Sequence, residues 1–131
     1  MNIEYKVNYP LSVSQAIDIF RGSGINRPIE DPDRIAKMFS RYDILITSWV
    51  DEEPIALSRS LTDFSFCCYL SDLAVKKKYQ KMGIGKKLID MTHEIATERS
   101  TLILLAAPAA VDYYPKIGMQ KNDACYIIRR T

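Results

Sequence analysis

Lys76, Lys77, Lys78, Lys81, Lys86 and Lys87 crowd one short segment that also holds two glycines and no acidic residue. Side chains of this kind, at this density, attract phosphate groups. Inside the segment, Gln80-Lys81-Met82-Gly83-Ile84-Gly85 reads as a tight turn in which two residues lack a Cβ, so backbone amides can approach a ligand closely. Before it, Asp72-Leu73-Ala74-Val75 is a short apolar run ending in a β-branched residue, the pattern of a buried strand end. After it, Ile84, Leu88, Met91 and Ile95 recur at helical spacing and mark an amphipathic helix. A strand, a glycine turn and a helix N-terminus in that order form a place to hold phosphate, because the first-turn amides and the helix dipole both favour an anion.

The charge distribution agrees. The chain has 18 basic and 16 acidic side chains; without the six lysines of this segment, 12 basic face 16 acidic. A net charge of +2 therefore combines a local positive site with an acidic body. The alternative is a solvated lysine-rich loop. A Walker loop is excluded, since no Gly-x4-Gly-Lys-Ser/Thr spacing exists, and Leu88 stands where a dinucleotide fingerprint needs a small residue. A nucleic-acid surface ranks last, because Tyr79 is the lone aromatic interleaved with the lysines and the rest of the chain is acidic.

The segment Gln80–Gly85 resembles the Gln/Arg-x-x-Gly-x-Gly/Ala motif of the GNAT superfamily of acyl-CoA-dependent N-acetyltransferases. A second block supports the resemblance. Thr101 to Ala107 reads as another buried strand, broken at Pro108, and a short helix near 109–117 carries Tyr113-Tyr114-Pro115-Lys116-Ile117-Gly118-Met119. That run is similar to the family's Phe-Tyr-x-Lys-x-Gly-Phe, with Met119 replacing the aromatic, while Ala107 stands where the family often has an Asn contacting the pantetheine arm. The resemblance implies an α/β (α+β) fold: one domain over residues 1–131, with a mixed, mostly antiparallel central sheet and helices on both faces. It implies acetyl-CoA as cosubstrate and an amine as acceptor. Backbone groups of Leu73, Ala74 and Val75 would pair with the pantetheine amides, and Gln80, Lys81, Met82, Gly83, Ile84, Gly85 and Lys86 would surround the pyrophosphate.

By the same resemblance Tyr114 is the residue beside the cofactor sulfur, with Tyr113 as its packing neighbour; a plain core tyrosine is the alternative for Tyr114. A tyrosine near pKa ~10 cannot readily protonate a thiolate whose acid has pKa ~8.5, an uphill step of roughly 2 kcal/mol, so hydrogen bonding to the developing thiolate is the easier role. The attacking amine must lose a proton. Asp72 and Asp63 are the candidate bases, Asp72 having a structural carboxylate as its alternative. Simple strand alternation puts Tyr69, Ser71 and Leu73 on one face and Asp72 on the other. Arg59 and Asp63 are expected to border the acceptor. His93, the single histidine, lacks a Ser or Cys partner motif and reads as a surface residue. Segments 24–28, 30–34 and 59–63 look similar to a compact branch that includes enzymes acetylating arylalkylamines and protein lysines, so the acceptor is a small amine or a protein or peptide amine. A non-catalytic acetyl-CoA-binding regulatory module is the alternative function.

The elements needed to position these groups are legible along the chain. Ile3 to Val7 reads as a first strand, a helix capped by Ser12 or Ser14 runs to about Gly22, and Asp31-Pro32 starts a second helix. Ile44–Val50 and Pro54–Ser60 read as a hairpin, Phe66–Val75 as the central strand, and Asn122–Ile128 as a closing strand. Hydrophobic content of 47% and charged content of 26% describe an ordinary globular composition. No apolar run reaches signal-peptide or membrane-span length, so no membrane partner is expected. Three cysteines, two of them adjacent, make neither a disulfide framework nor a metal site, which points to a reducing, cytoplasmic compartment and no metal. A homodimer is an expectation from the family resemblance alone.

Overall fold

The computed structural model describes residues 1–131. Its centre is a five-stranded sheet in sequence order: β1 (Glu4–Val7), β2 (Ile44–Val50), β3 (Glu53–Thr62), β4 (Cys67–Val75) and β5 (Thr101–Ile103). The first three pairings are antiparallel and β4–β5 is parallel. Helices α1 (Val13–Ser23) and α2 (Pro32–Phe39) cover one face, and α3 (Ile84–Ala96) covers the other. A four-residue helix, α4 (Tyr113–Lys116), follows β5. This is the mixed sheet with helices on both faces that the sequence predicts. No helix is long and apolar enough to cross a membrane.

Local chemistry sets the helix ends. Ser12 and Gln15 form a reciprocal capping box at the start of α1, and Gly24 closes it with φ +79°. Asp31 caps α2, with Pro32 in the first turn where its missing N–H costs nothing. The core is two layers: Ile84 and Leu88 of α3 pack on Ile44, Ile46, Ile55 and Cys68, while Ala16, Ile19 and Phe20 of α1 and Ile35 of α2 pack on Leu57 and Ala74.

One departure from simple alternation governs the site. Arg59 pairs with Asp72 and Ser60 with Leu70, so Ser71 is an extra residue in β4. Cys68 lies in the layer under α3, whereas Asp72 reaches the α1–α2 side and Ala74 packs there. Four residues apart in an unbroken strand, Cys68 and Asp72 would share a face; the bulge turns the second half of the strand over. The expected opposition of Tyr69 and Asp72 is thus corrected, because the inserted residue puts both on the α1–α2 side.

The C-terminal part also differs. β5 stops at Ile103 rather than Ala107, the intended helix near 109–117 divides into a 3-10 turn at Pro108–Ala110 and α4, and Asn122–Ile128 forms no strand. The chain leaves the sheet after Ile103, so only three residues of β5 pair with β4.

Candidate active site

β4 and β5 pair only from Cys67 to Tyr69 against Thr101 to Ile103. Beyond those residues the strands part, leaving the β5-facing edge of Leu70–Val75 without a strand partner. At the end of β4 a 3-10 turn, Lys77–Tyr79, leads into the glycine loop, which enters α3 at Gly83. Lys81 and Gly83 both have positive φ, +66° and +82°. Glycine adopts that conformation freely, whereas at Lys81 it is a local cost. The result is a loop whose backbone curls around the first turn of α3.

The amides of Lys81, Met82, Gly83, Ile84, Gly85 and Lys86 donate no hydrogen bond within the protein, and no side chain caps the helix. Unpaired first-turn donors at a helix N-terminus are an anion site by geometry. A Cβ at Gly83 would meet nothing within 4 Å, so the absent side chain leaves open space in front of those amides. The Gln80 side chain is otherwise engaged: its Nε2 donates to the Val75 carbonyl at 2.8 Å and holds the loop against the strand end. The lysine cluster is smaller than its count implies. Lys76 Nζ bonds Asp18 at 2.5 Å and Glu53 at 2.9 Å. Burial opposes its charge, but the hydrogen bonds to Asp18 and Glu53 prevail and raise its pKa. Lys86 pairs with Asp90 at 2.7 Å on the helix surface. Lys77, Lys78, Lys81 and Lys87 form no ion pair and stay available to an anion.

Asp72, expected as a base, is committed elsewhere. It is 1% exposed; Oδ1 accepts from Arg27 Nε at 2.6 Å and Oδ2 from Arg59 Nε at 2.6 Å. Both oxygens are used, so the geometry favours the structural carboxylate over the proton acceptor. Arg59, expected at the acceptor, is buried in the same network and donates to the carbonyls of Met38 and Arg41. It fastens α2 to the sheet instead. Arg27 is the partner that sequence reasoning did not pair with Asp72; no short-range spacing links residues so far apart.

Asp63 sits at the turn before β4, where its Oδ1 accepts from the backbone amides of Ser65, Phe66 and Cys67. Those bonds hold its pKa down to about 2. Its position lines an open groove of about 710 Å³ on the α1–α2 side of the sheet, with Leu61, Phe66, Tyr69, Thr101 and Ile103. That volume falls within the range of small-molecule sites, roughly 300–1,000 Å³. Tyr114 is half-buried and meets Tyr113 edge-on at 5.2 Å. Burial, then the neighbouring Tyr113, raises its pKa above the ordinary value. Tyr113, expected only to pack, has its hydroxyl 3.2 Å from the place a Cβ on Gly85 would occupy, so this ring reaches the loop. His93 Nε2 lies 3.1 Å from the Ser100 carbonyl, away from the loop, a tie between the two ends of the α3–β5 connection. No cluster of side chains able to hold a metal ion is present.

A family model described as Acetyltransferase (GNAT) family matches residues 14–119. Among solved structures, a Staphylococcus aureus protein described as a probable acetyltransferase superposes with TM-score 0.78 at 18% identity, covering 96% of this chain and 100% of that one. A GNAT-family protein of Streptococcus pneumoniae gives TM-score 0.77 at 17% identity, covering 98% and 100%. An aminoglycoside N-acetyltransferase in complex with CoA gives 0.74 at 10% identity, covering 98% and 95%. No curated protein matches the chain by sequence.

Proposed function

The chain belongs to the acetyltransferase (GNAT) family, and from that premise we propose that it is an N-acetyltransferase carrying an acetyl group from acetyl-CoA to an amine by direct attack in a ternary complex. The observation that carries the reading is the set of unpaired amides from Lys81 to Lys86 at the start of α3. They fit a pyrophosphate: six donors, open space at Gly83, and lysines on the rim. Acetyl-CoA supplies an activated thioester. The unpartnered edge of Leu73, Ala74 and Val75 offers strand-like hydrogen bonds to the amides of the pantetheine arm.

The acceptor nitrogen attacks the thioester carbon, an N–C bond forms, the C–S bond breaks, and the proton shed by nitrogen balances the one the thiolate takes up. Tyr114 is the group in this chain proposed to hydrogen-bond the departing sulfur; its raised pKa keeps the hydroxyl protonated and able to donate. With Asp72 locked between two arginines, the amine proton is proposed to leave through water. An amine near pKa ~10.4 is only about four parts in ten thousand neutral at pH 7, so the acceptor must bind where its charged form is disfavoured. The largely apolar lining of the groove beside Tyr69 disfavours the charged amine, while the ionised Asp63 carboxylate on its wall acts in the opposite sense. A cytoplasmic site of action is proposed from the three unpaired thiols.

The engagement of Asp72 gives specific weight to a second reading, an acetyl-CoA-binding regulatory module without transfer. A screen of amines with detection of released thiol separates the two. The panel should hold arylalkylamines, lysine peptides and aminoglycosides, the last because two structural neighbours act on that class by name. Thiol release that saturates with one amine class supports the enzyme. Saturable acetyl-CoA binding without release from any amine selects the module.

A further inference from the structure

The groove beside Tyr69 differs in charge from one end to the other. At one end stands Asp63, whose Oδ1 accepts from the amides of Ser65, Phe66 and Cys67 and which no lysine or arginine pairs. Asp43 adds a second carboxylate there, its Oδ2 accepting from the Thr62 amide at 2.9 Å. The wall that follows is apolar, with Leu61, Phe66 and Ile103 turned to solvent, and it contains no basic residue. The other end is positive. Arg59 lies two residues from Leu61 on β3 and so on the same face, beside the Ser71 bulge and just past the last β4–β5 pair at Tyr69. Arg27 donates to the Ser71 carbonyl at 2.9 Å, and both guanidiniums share the single carboxylate of Asp72. Two cations against one anion leave a surplus positive charge in a largely buried network. A nitrogen beside Asp63 is held in its charged form and cannot attack, whereas one near the arginines is pushed toward its neutral, nucleophilic form. A single amine cannot use both ends; a molecule with two can.

We propose that the acceptor is an extended amine with two nitrogens, one held as an ammonium at Asp63 and the other delivered uncharged to the place where β4 and β5 part. The transfer rests on the acetyltransferase reading; the two-point binding does not. Asp63 is level with Cys67, whose carbonyl accepts from its amide at 3.3 Å, and the strands part beyond Tyr69. The three or four residues from Cys67 to Leu70 or Ser71 therefore set a separation of roughly 10–13 Å, at ~3.3 Å per residue. An α,ω-diamine of eight carbons spans about 11 Å when extended, with single bonds of about 1.5 Å. Its methylene chain would lie over Leu61, Phe66 and Ile103. In the transfer the near nitrogen bonds to the thioester carbon as the C–S bond breaks, and the proton it sheds passes through water to balance the one the thiolate takes up. The far ammonium keeps its proton throughout.

The test is calorimetry of the full chain with diaminooctane and with amino-octanol, the same chain bearing a hydroxyl in place of one amine. The diamine should bind about tenfold more tightly at low salt: about fivefold from an exposed ion pair and twofold because either end can lead. Asp63→Asn keeps an oxygen for the backbone amides and removes the charge, so the advantage should fall to about twofold. High salt should shrink it in the parent as well, which keeps the idea testable if the variant fails to fold. Thiol release across diamines of four, eight and twelve carbons should peak near eight, with Asp63→Asn raising KM for the diamine and leaving kcat and the amino-octanol KM unchanged. Equal affinity of the two ligands, binding of neither, or an advantage that persists in the variant or in high salt would overturn the proposal. Thiol release from both amines alike would overturn it while sparing the acetyltransferase reading. A diamine advantage lost in the variant, with no thiol release, would uphold the two-point site and contradict that reading instead.

Discussion

The Tyr113 hydroxyl lies 3.2 Å from where a Cβ on Gly85 would stand, which brings α4 back onto the first turn of α3. Two distant blocks of the sequence, the glycine loop and the tyrosine pair, thus meet at one helix N-terminus. The contact is close but yielding, because the Tyr113 hydroxyl is the far end of a half-exposed ring. Gly85→Ala is therefore expected to leave melting nearly unchanged and to weaken acetyl-CoA binding about tenfold, or ~1.4 kcal/mol, by narrowing the space before the amides. Calorimetry on the folded variant checks this. Unaltered affinity would show that the ligand does not approach Gly85.

Tyr114→Phe removes the proposed donor to sulfur but retains the ring and its edge-on contact with Tyr113. The expected result is a loss of about 10²-fold in kcat with acetyl-CoA affinity unchanged, the scale of one removed transition-state donor. The pH profile carries a sign. Because burial raises the Tyr114 pKa above the ordinary tyrosine value of about 10, the hydroxyl stays protonated through the neutral and mildly alkaline range. The rate should rise with pH as the acceptor amine deprotonates, with no fall below about pH 10. A descending limb near pH 8 would mean that another group serves as the acid.

Asp72→Asn tests positioning against catalysis. Removing one charge leaves Arg59 buried and Arg27 half-buried without a counter-charge, which should cost on the order of 3–5 kcal/mol of stability. Thermal melting reads the loss directly. For the folded fraction, the shape of the pH–rate profile should match the parent, since Asp72 accepts no proton in this account. Disappearance of an acidic limb from that profile would restore Asp72 as a base.

Asp63 gives a linkage prediction. Its folded pKa of about 2 lies below the ordinary aspartate value of 3.8, so the stability it confers is present above pH 3.8 and is lost as pH falls toward 2. Asp63→Asn should melt lower than the parent at pH 5, and the gap should shrink as pH falls to 2. Melting curves at intervals across that window decide it. A gap independent of pH would mean that the backbone bonds at Ser65, Phe66 and Cys67 do not distinguish the charged carboxylate.

Much of this arrangement is written locally. The helix cap at Ser12 or Ser14, the Asp31-Pro32 helix start and the Gly83–Gly85 loop each follow from residues within a few positions of one another; the structure shows the last two where the sequence puts them and selects Ser12, in a box with Gln15, for the first. The Arg27–Asp72–Arg59 network is of another kind, since it depends on strand register and helix docking across the chain. The bulge at Ser71 is silent in a hydrophobic pattern, because burial alternates without interruption from Cys68 to Ala74 while the buried face changes. Lys76 shows the same limit in charge: the sequence counts it with the anion site, yet Asp18 and Glu53 claim it after folding. Asn122–Ile128 has the alternation of a strand but no neighbour in its own chain, and propensity cannot supply one.

The measurement closest to the central claim is a calorimetric titration of the chain with acetyl-CoA, run beside Gly83→Glu. The variant directs a carboxylate into the open space before the α3 amides, at a backbone strain of roughly 1–2 kcal/mol from φ +82° that melting can monitor. Saturable one-to-one binding by the parent, lost in the folded variant, is the expected result. Equal binding by both proteins would place the pyrophosphate elsewhere, and no binding by the parent at millimolar ligand would contradict both the acetyltransferase and the acetyl-CoA-binding module.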